Sequence, residues 1–401
     1  MNATVAAMTQ GDVDSALTSA RAAYAVIASA GSEDDDNSTN TTVDGIGKAA
    51  VCALLGEILL ENGDVEVARQ VLTVAANLDT DGTLSDALGG GPDKYFYLAQ
   101  LSENGGRESV SWFERGAAAL RSRLQQAGGE ADEKSEEGEK TAVEETRDKL
   151  AQVLCAVAEV WMTDLSFEPD CEAQCEALVT EASLLAPTSP DVWQTLASVR
   201  VSQERLPDAR AAVQRSLDLW ADLPPDHPAV PLFSVRVGLV RLLLTVDWAE
   251  KAAHIATTRL LREDDEAVEV WYLAGYAHYL QGQKLREGGE DGESEEKAKG
   301  KIREDGEEKM ADQDDDSSDH HWQDYWRDAR RCLGRCLKEF KRQSYEDERL
   351  GQHAKELLDD VVAVLGPAPE GEDEEDEGEW VDENDGADDD SEDDDGDEDM
   401  E

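Results

Sequence analysis

The pattern that most restricts the fold lies between Ala49 and Thr80. Cys52, Leu55, Gly56 and Leu59 recur at helical spacing, Asn62-Gly63-Asp64 interrupts them, and Ala68, Leu72 and Ala75 resume the period. Small residues at Gly56, Ala68 and Ala75 allow two helices to approach closely, while the larger ones fill the space towards a neighbouring pair. One such pair cannot bury its apolar surface alone, so further copies must stack on it. From Pro190 the frame returns, with Trp193, Leu196 and Ala197, then Ala209 and Val213. Cys175, Val179, Ala182 and Pro187 occupy the second helix and the end of the pair just before it.

Looser copies follow the same plan. Tyr95, Leu98 and Ala99 join Phe113 and Gly116 across a shortened turn, Asn104-Gly105-Gly106. Leu239 and Leu243 join Ala252 and Ala256 across Asp247-Trp248, and Trp271, Ala274 and Gly275 join Ala329, Leu333 and Cys336. A unit of about 34 residues with this small–large alternation is the tetratricopeptide repeat. The expected fold class is therefore all-α, a tetratricopeptide-type right-handed superhelical solenoid over residues 1–366. Within it we expect a disordered insertion at about 281–320 and flexible loops at about 31–45 and 128–140, where apolar residues are too few to offset the ordering entropy. An amphipathic helix bearing Leu350, Leu357, Val361, Val364 and Leu365, stopped by Pro367, is expected to cap the stack. Residues 367–401 read as a disordered acidic tail, with no Lys or Arg between Glu370 and Glu401.

The 93 acidic residues outnumber 37 basic ones, for a net charge of −56 at pH 7. Such a chain repels nucleic acid and anionic membranes, and a basic protein is its natural complement. We expect no direct nucleic-acid contact and no membrane association. The longest apolar runs, near 49–60 and 231–246, are broken by Glu57 and by Arg236 and Arg241, so no transmembrane span is expected. The six Cys are sparse and mostly inside helical patterns, as in a protein of a reducing compartment. The pairs Cys171/Cys175 and Cys332/Cys336 could present two thiolates to one metal. Cys175 and Cys336, however, stand where the repeat wants a small apolar residue, and they read as core. No phosphate-binding glycine loop, metalloprotease helix or nucleophile elbow is present. The expectation is a protein without catalysis, cofactor or metal.

Stacked repeats expose their first helices along an inner wall. The register puts Ala53, Glu57 and Leu60 there, then Asp191, Gln194, Ser198 and Val201, then Glu269, Tyr272, Tyr276 and Tyr279. The candidate partner-binding residues are Glu57, Asp191, Gln194, Glu269, Tyr272, Tyr276 and Tyr279. Three tyrosines beside Glu269 could hold Arg or Lys stems by stacking and cation–π contact, or could pack against the neighbouring repeat. Carboxylates at these places argue against the clamp that co-chaperones of this fold use for C-terminal carboxylates of heat-shock chaperones, because like charges repel.

Two stretches carry a more specific likeness: TDLSFEPDCEAQCE (163–176) and LLREDDEAVEVWYLAGYAHYL (260–280). Together with the acidic insertion and tail they resemble the fungal family of dedicated assembly chaperones for the large-subunit ribosomal protein uL4. That resemblance implies a helical superhelix whose concave face captures the long basic internal loop of newly made uL4. It further implies a monomer in a 1:1 complex that shields the loop in the cytoplasm and accompanies uL4 to the nucleus, meeting nuclear import machinery through the partner. A histone chaperone that combines these repeats with an acidic stretch is the alternative. If the inner wall carries specificity, deleting residues 370–401 lowers the association rate and its salt dependence while specific binding persists. Stopped-flow association at several salt concentrations measures this, and loss of the complex on tail deletion alone counts against the inner wall.

Overall fold

The computed structural model describes residues 12–30, 41–82, 91–130, 137–299 and 321–368. Among these residues all regular structure is helical. The chain divides into two compact units, Met1–Trp248 and Ala249–Glu401.

The first unit is a series of antiparallel helix pairs. Helix α1 (Val13–Ala30), which the repeat pattern did not mark, packs Ala16, Leu17 and Ala20 against Leu55, Ile58 and Leu59 of α2 (Thr41–Glu61). Helix α3 (Val65–Leu78) buries Ala68, Leu72, Ala75 and Ala76. A Cβ at Gly56 would lie 2.4 Å from Leu72 Cγ, so the glycine is what lets α2 and α3 cross. The turn between them needs Gly63 at φ 82°. Helices α4 (Asp93–Gln100) and α5 (Gly106–Glu130) repeat the device, with Gly116 beneath the Phe96 ring.

Helices α6 (Glu137–Thr163) and α7 (Cys171–Leu185) form the next pair, then α8 (Pro190–Ser202) and α9 (Leu206–Asp218), then α10 (Phe233–Thr245). Pro190 opens α8, where its fixed φ suits the first turn and no amide is wanted. One apolar core runs through Phe113, Leu120, Leu154, Trp161, Val179 and Val192. Core positions read from the repeat frame, among them Cys52, Leu55, Ala68, Tyr95, Cys175, Ala209 and Val213, are buried.

The second unit opens with α11 (Ala249–Ile255), which passes through a π-helical stretch, Ala256–Leu260, into the short α12 (Leu261–Glu263). The repeat expected over Leu239–Ala256 therefore straddles the division, one helix in each unit. Helices α13 (Val268–Lys299) and α14 (Trp322–Gln343) pair closely, because a Cβ at Gly275 would lie 2.7 Å from Leu333 Cγ. Helix α15 (Glu348–Leu365) lies on α14 through Val361, Trp326 and Ala329, and ends at Gly366-Pro367.

Helix α13 continues past 281, where the disordered insertion was expected to start. Packing explains the extension. Gly282 sits against the Trp326 indole, and the Arg286 guanidinium lies 5.5 and 5.4 Å from the Trp322 and Trp326 rings. The loops expected at 31–45 and 128–140 are likewise partly helical, since α2 starts at Thr41, α5 reaches Glu130 and α6 starts at Glu137. The remainder of those loops, residues 300–320 of the insertion and residues 369–401 of the tail lie outside the described residues.

Lys94 and Asp79 form a buried ion pair at 2.5 Å, with Lys94 also donating to the Gly91 carbonyl. It ties the start of α4 to the end of α3. Removing the cation strands a buried carboxylate, which typically costs about 3–5 kcal/mol. Lys94→Met is expected to lower the thermal midpoint of unfolding accordingly, and Lys94→Met with Asp79→Asn to recover part of the loss.

Candidate functional site

Helices α6 and α8, the first helices of successive pairs, and α10, which follows them, border a groove of about 500 Å³. Its walls include Cys155 and Glu159 from α6, Asp191 and Gln194 from α8, and Gly238 and Arg241 from α10. Burial raises the pKa of the Asp191 carboxyl. Burial also raises that of Glu159, and the nearby Asp191 charge adds to it. Two carboxylates thus share a partly dehydrated wall, a state that an incoming cationic side chain would relieve. The Cys155 thiol is pushed up to about 12, chiefly by burial, which makes it a poor nucleophile at neutral pH. Gln194 is buried, and its amide donates to Ser216 Oγ at 3.4 Å, so it builds the wall more than it reaches out.

Of the residues singled out from sequence, Asp191 and Gln194 meet here. Glu159 was missed. It stands four residues beyond Cys155 on α6, and a step of about 34 residues back from Asp191 and Gln194 points to Val157 and Val160 instead.

Glu57 lies elsewhere in the same unit, on α2. Its carboxyl is pushed up to about 7 by burial, then by Asp93 and Glu61, against the opposing pull of Lys149. Lys149 pairs with Asp93 at 2.5 Å. Tyr97 joins this group, its hydroxyl pushed up to about 12 by burial and by the Glu57, Asp93 and Glu61 charges.

Glu269, Tyr272, Tyr276 and Tyr279 belong to the second unit, on α13. Tyr272 and Tyr276 stack with centroids 6.1 Å apart, and His353 of α15 meets both rings edge-on. The Tyr272 hydroxyl and His353 Nδ1 are 2.7 Å apart. Tyr279 stacks on Trp326 at 5.4 Å, and its hydroxyl donates to Asp360 at 3.5 Å. Of the two roles open to this stripe, packing against a neighbouring helix is the one these contacts display, with the rings left half-buried.

None of the six cysteines forms a disulfide. Cys171 and Cys175 donate to the Trp161 and Ala158 carbonyls, and Cys332 and Cys336 are buried. Among the described residues no group of three or more His, Cys, Asp or Glu could hold a metal, and no helix is long and apolar enough to cross a membrane.

Fold and groove together define an all-α, tetratricopeptide-type repeat scaffold with a carboxylate-bearing wall of first helices. The chain is 36% identical over 325 residues to a probable assembly chaperone of rpl4 from Emericella nidulans, covering 81% of this chain and 74% of that protein. A probable assembly chaperone of rpl4 from Schizosaccharomyces pombe is 29% identical over 328 residues, covering 82% and 84%. A solved structure of the assembly chaperone of RpL4, Acl4, matches with a TM-score of 0.64 and 46% identity, over 71% of this chain and 96% of that one. No family model matches the sequence. The chain belongs to the family of assembly chaperones of rpl4.

The raised pKa of Glu57 has a testable sign. Its folded pKa, about 7, exceeds its ordinary value of 4.5. The penalty for holding its charge is full above pH 7 and fades as pH falls towards 4.5. Glu57→Gln is therefore expected to stabilise the protein at pH 8, by on the order of 1–3 kcal/mol, and to change little at pH 4.5. Unfolding midpoints across that range give the comparison.

Proposed function

We propose that this protein is a dedicated chaperone of ribosomal protein uL4, the rpl4 of its relatives' names. It captures newly made uL4 through its long basic internal loop, keeps it soluble and delivers it for assembly of the large ribosomal subunit. The single observation that carries the reading is the groove between α6, α8 and α10, where Glu159 and Asp191 stand close together and partly dehydrated. Membership of the family supplies the partner's name.

The physical logic follows from charge. A loop that ends in contact with ribosomal RNA is basic and has no core of its own, so before assembly it aggregates or binds stray RNA. An acidic groove offers its Lys and Arg side chains carboxylates in a medium of lower dielectric than water. The ribosome, with far more phosphates, takes the loop back. The work is binding without catalysis. We place the protein in the cytoplasm and nucleus as a monomer in a 1:1 complex, reaching nuclear import machinery through uL4.

Charge reversal tests the groove. Glu159→Lys with Asp191→Lys, in the full chain with its tail, is expected to weaken uL4 binding at least thirtyfold, since each attraction to a cationic side chain turns into a repulsion. Calorimetric titration of recombinant uL4, with and without its internal loop, provides the readout. Unchanged affinity in the double variant sinks the groove assignment. Core histones binding more tightly than uL4 would decide for the histone alternative.

A further inference from the structure

Between α6 and α7 the chain makes a turn, residues 164–170, that is held in place on several sides. Asp164 accepts a hydrogen bond from the Gly106 amide at 2.8 Å. Glu168 pairs with Arg107 at 2.7 Å, and the same guanidinium lies 5.6 Å from the Trp161 ring. Leu165 is buried in the core, and Cys171 Sγ donates to the Trp161 carbonyl. At the centre of this fixed turn stands Phe167, whose relative exposure is 101%.

Single exposed apolar residues are ordinary on protein surfaces, and Leu184 and Leu232 are further cases here. Phe167 differs in three respects. It is aromatic, its side chain contributes no burial to the fold, and its backbone is pinned, so little ordering entropy remains to be lost when something covers it. Glu168 is already paired with Arg107, and the exposed Asp170 and Glu172 follow it along the chain, so the flank that remains is acidic. Charge complementarity therefore calls for an apolar side chain carried on a basic segment.

The distance to the groove is short. Glu159 and Phe167 are separated by four helical residues, about 6 Å of rise, and four turn residues, at most about 14 Å. Their Cα atoms are thus no more than about 20 Å apart, a span that roughly six extended residues cover.

We infer that Phe167 is a second anchor point for the segment that lies in the groove. It takes a large apolar side chain set no more than about six residues from the Lys or Arg that meets Glu159 and Asp191. This rests on the uL4 reading above, and recombinant uL4 is the probe. Phe167→Ser is expected to weaken uL4 binding tenfold or more at an unchanged unfolding midpoint, and Phe167→Leu to retain most of the affinity. A benzophenone amino acid at 167 is expected to crosslink an apolar residue of uL4 within six positions of a basic one. Wild-type affinity in Phe167→Ser overturns this inference alone, whereas absence of uL4 binding by the wild-type chain overturns the proposed function and the inference with it. A self-associated species in sedimentation that Phe167→Ser abolishes would mean that a second copy of the chain is the occupant, and would also overturn the inference.

Discussion

Where Gly56 meets Leu72, Gly116 meets Phe96 and Gly275 meets Leu333, two helices come so close that one added methyl group would overlap its neighbour. This close approach sets the geometry of each pair. It buries alanine and glycine faces that would be weak hydrophobic surfaces alone, and it leaves the larger side chains to fill the gaps towards the next pair. The first helices α6 and α8 then stand side by side, with α10 beside α8, and the groove between the three is a consequence of that order. Without the small residues there is no pair, and without the pairs there is no shared wall.

Charge is distributed unevenly over this frame. On the second helices, acidic residues have basic partners: Glu176 with Arg200, Glu181 with Arg121 and Asp208 with Arg205. The exposed Asp208–Arg205 pair contributes little to stability, but all three cancel local charge. In the groove, Glu159 instead faces a second carboxylate, Asp191, and burial acts on both. Two carboxylates in a partly dehydrated place, with Arg241 also lining it, leave an acidic balance that favours a cationic ligand. In the function proposed above, the strong acidity of the whole chain serves to steer a basic partner from a distance, and the groove to discriminate at close range.

The legible part of the molecule was its pairing scheme. Cys52, Leu72, Val179, Ala209 and Leu333 were read as core from spacing, and each is buried. Asp191 was placed on the inner wall from its register, and it lines the groove. Less legible were features that depend on residues far apart in sequence. The tyrosine stripe of α13 offered two roles to the pattern, and its packing shows only in contacts with His353 and Asp360 on α15, some eighty residues on. The extension of α13 beyond 281 rests on Trp322 and Trp326, which follow it across the insertion.

The sequence by itself determined the helical class, the turns, the small-residue crossings and the acidic balance, because each is written in residue type and short-range period. The tertiary structure alone decided that Glu159 joins Asp191 on one wall, that Glu57 instead shares its surroundings with Glu61, Asp93 and Lys149, and that Phe167 stands clear of any core. The physical reason is that ionisation and exposure are properties of neighbourhoods. A carboxylate's cost in a groove depends on which other helices remove water from it, and no local spacing records that.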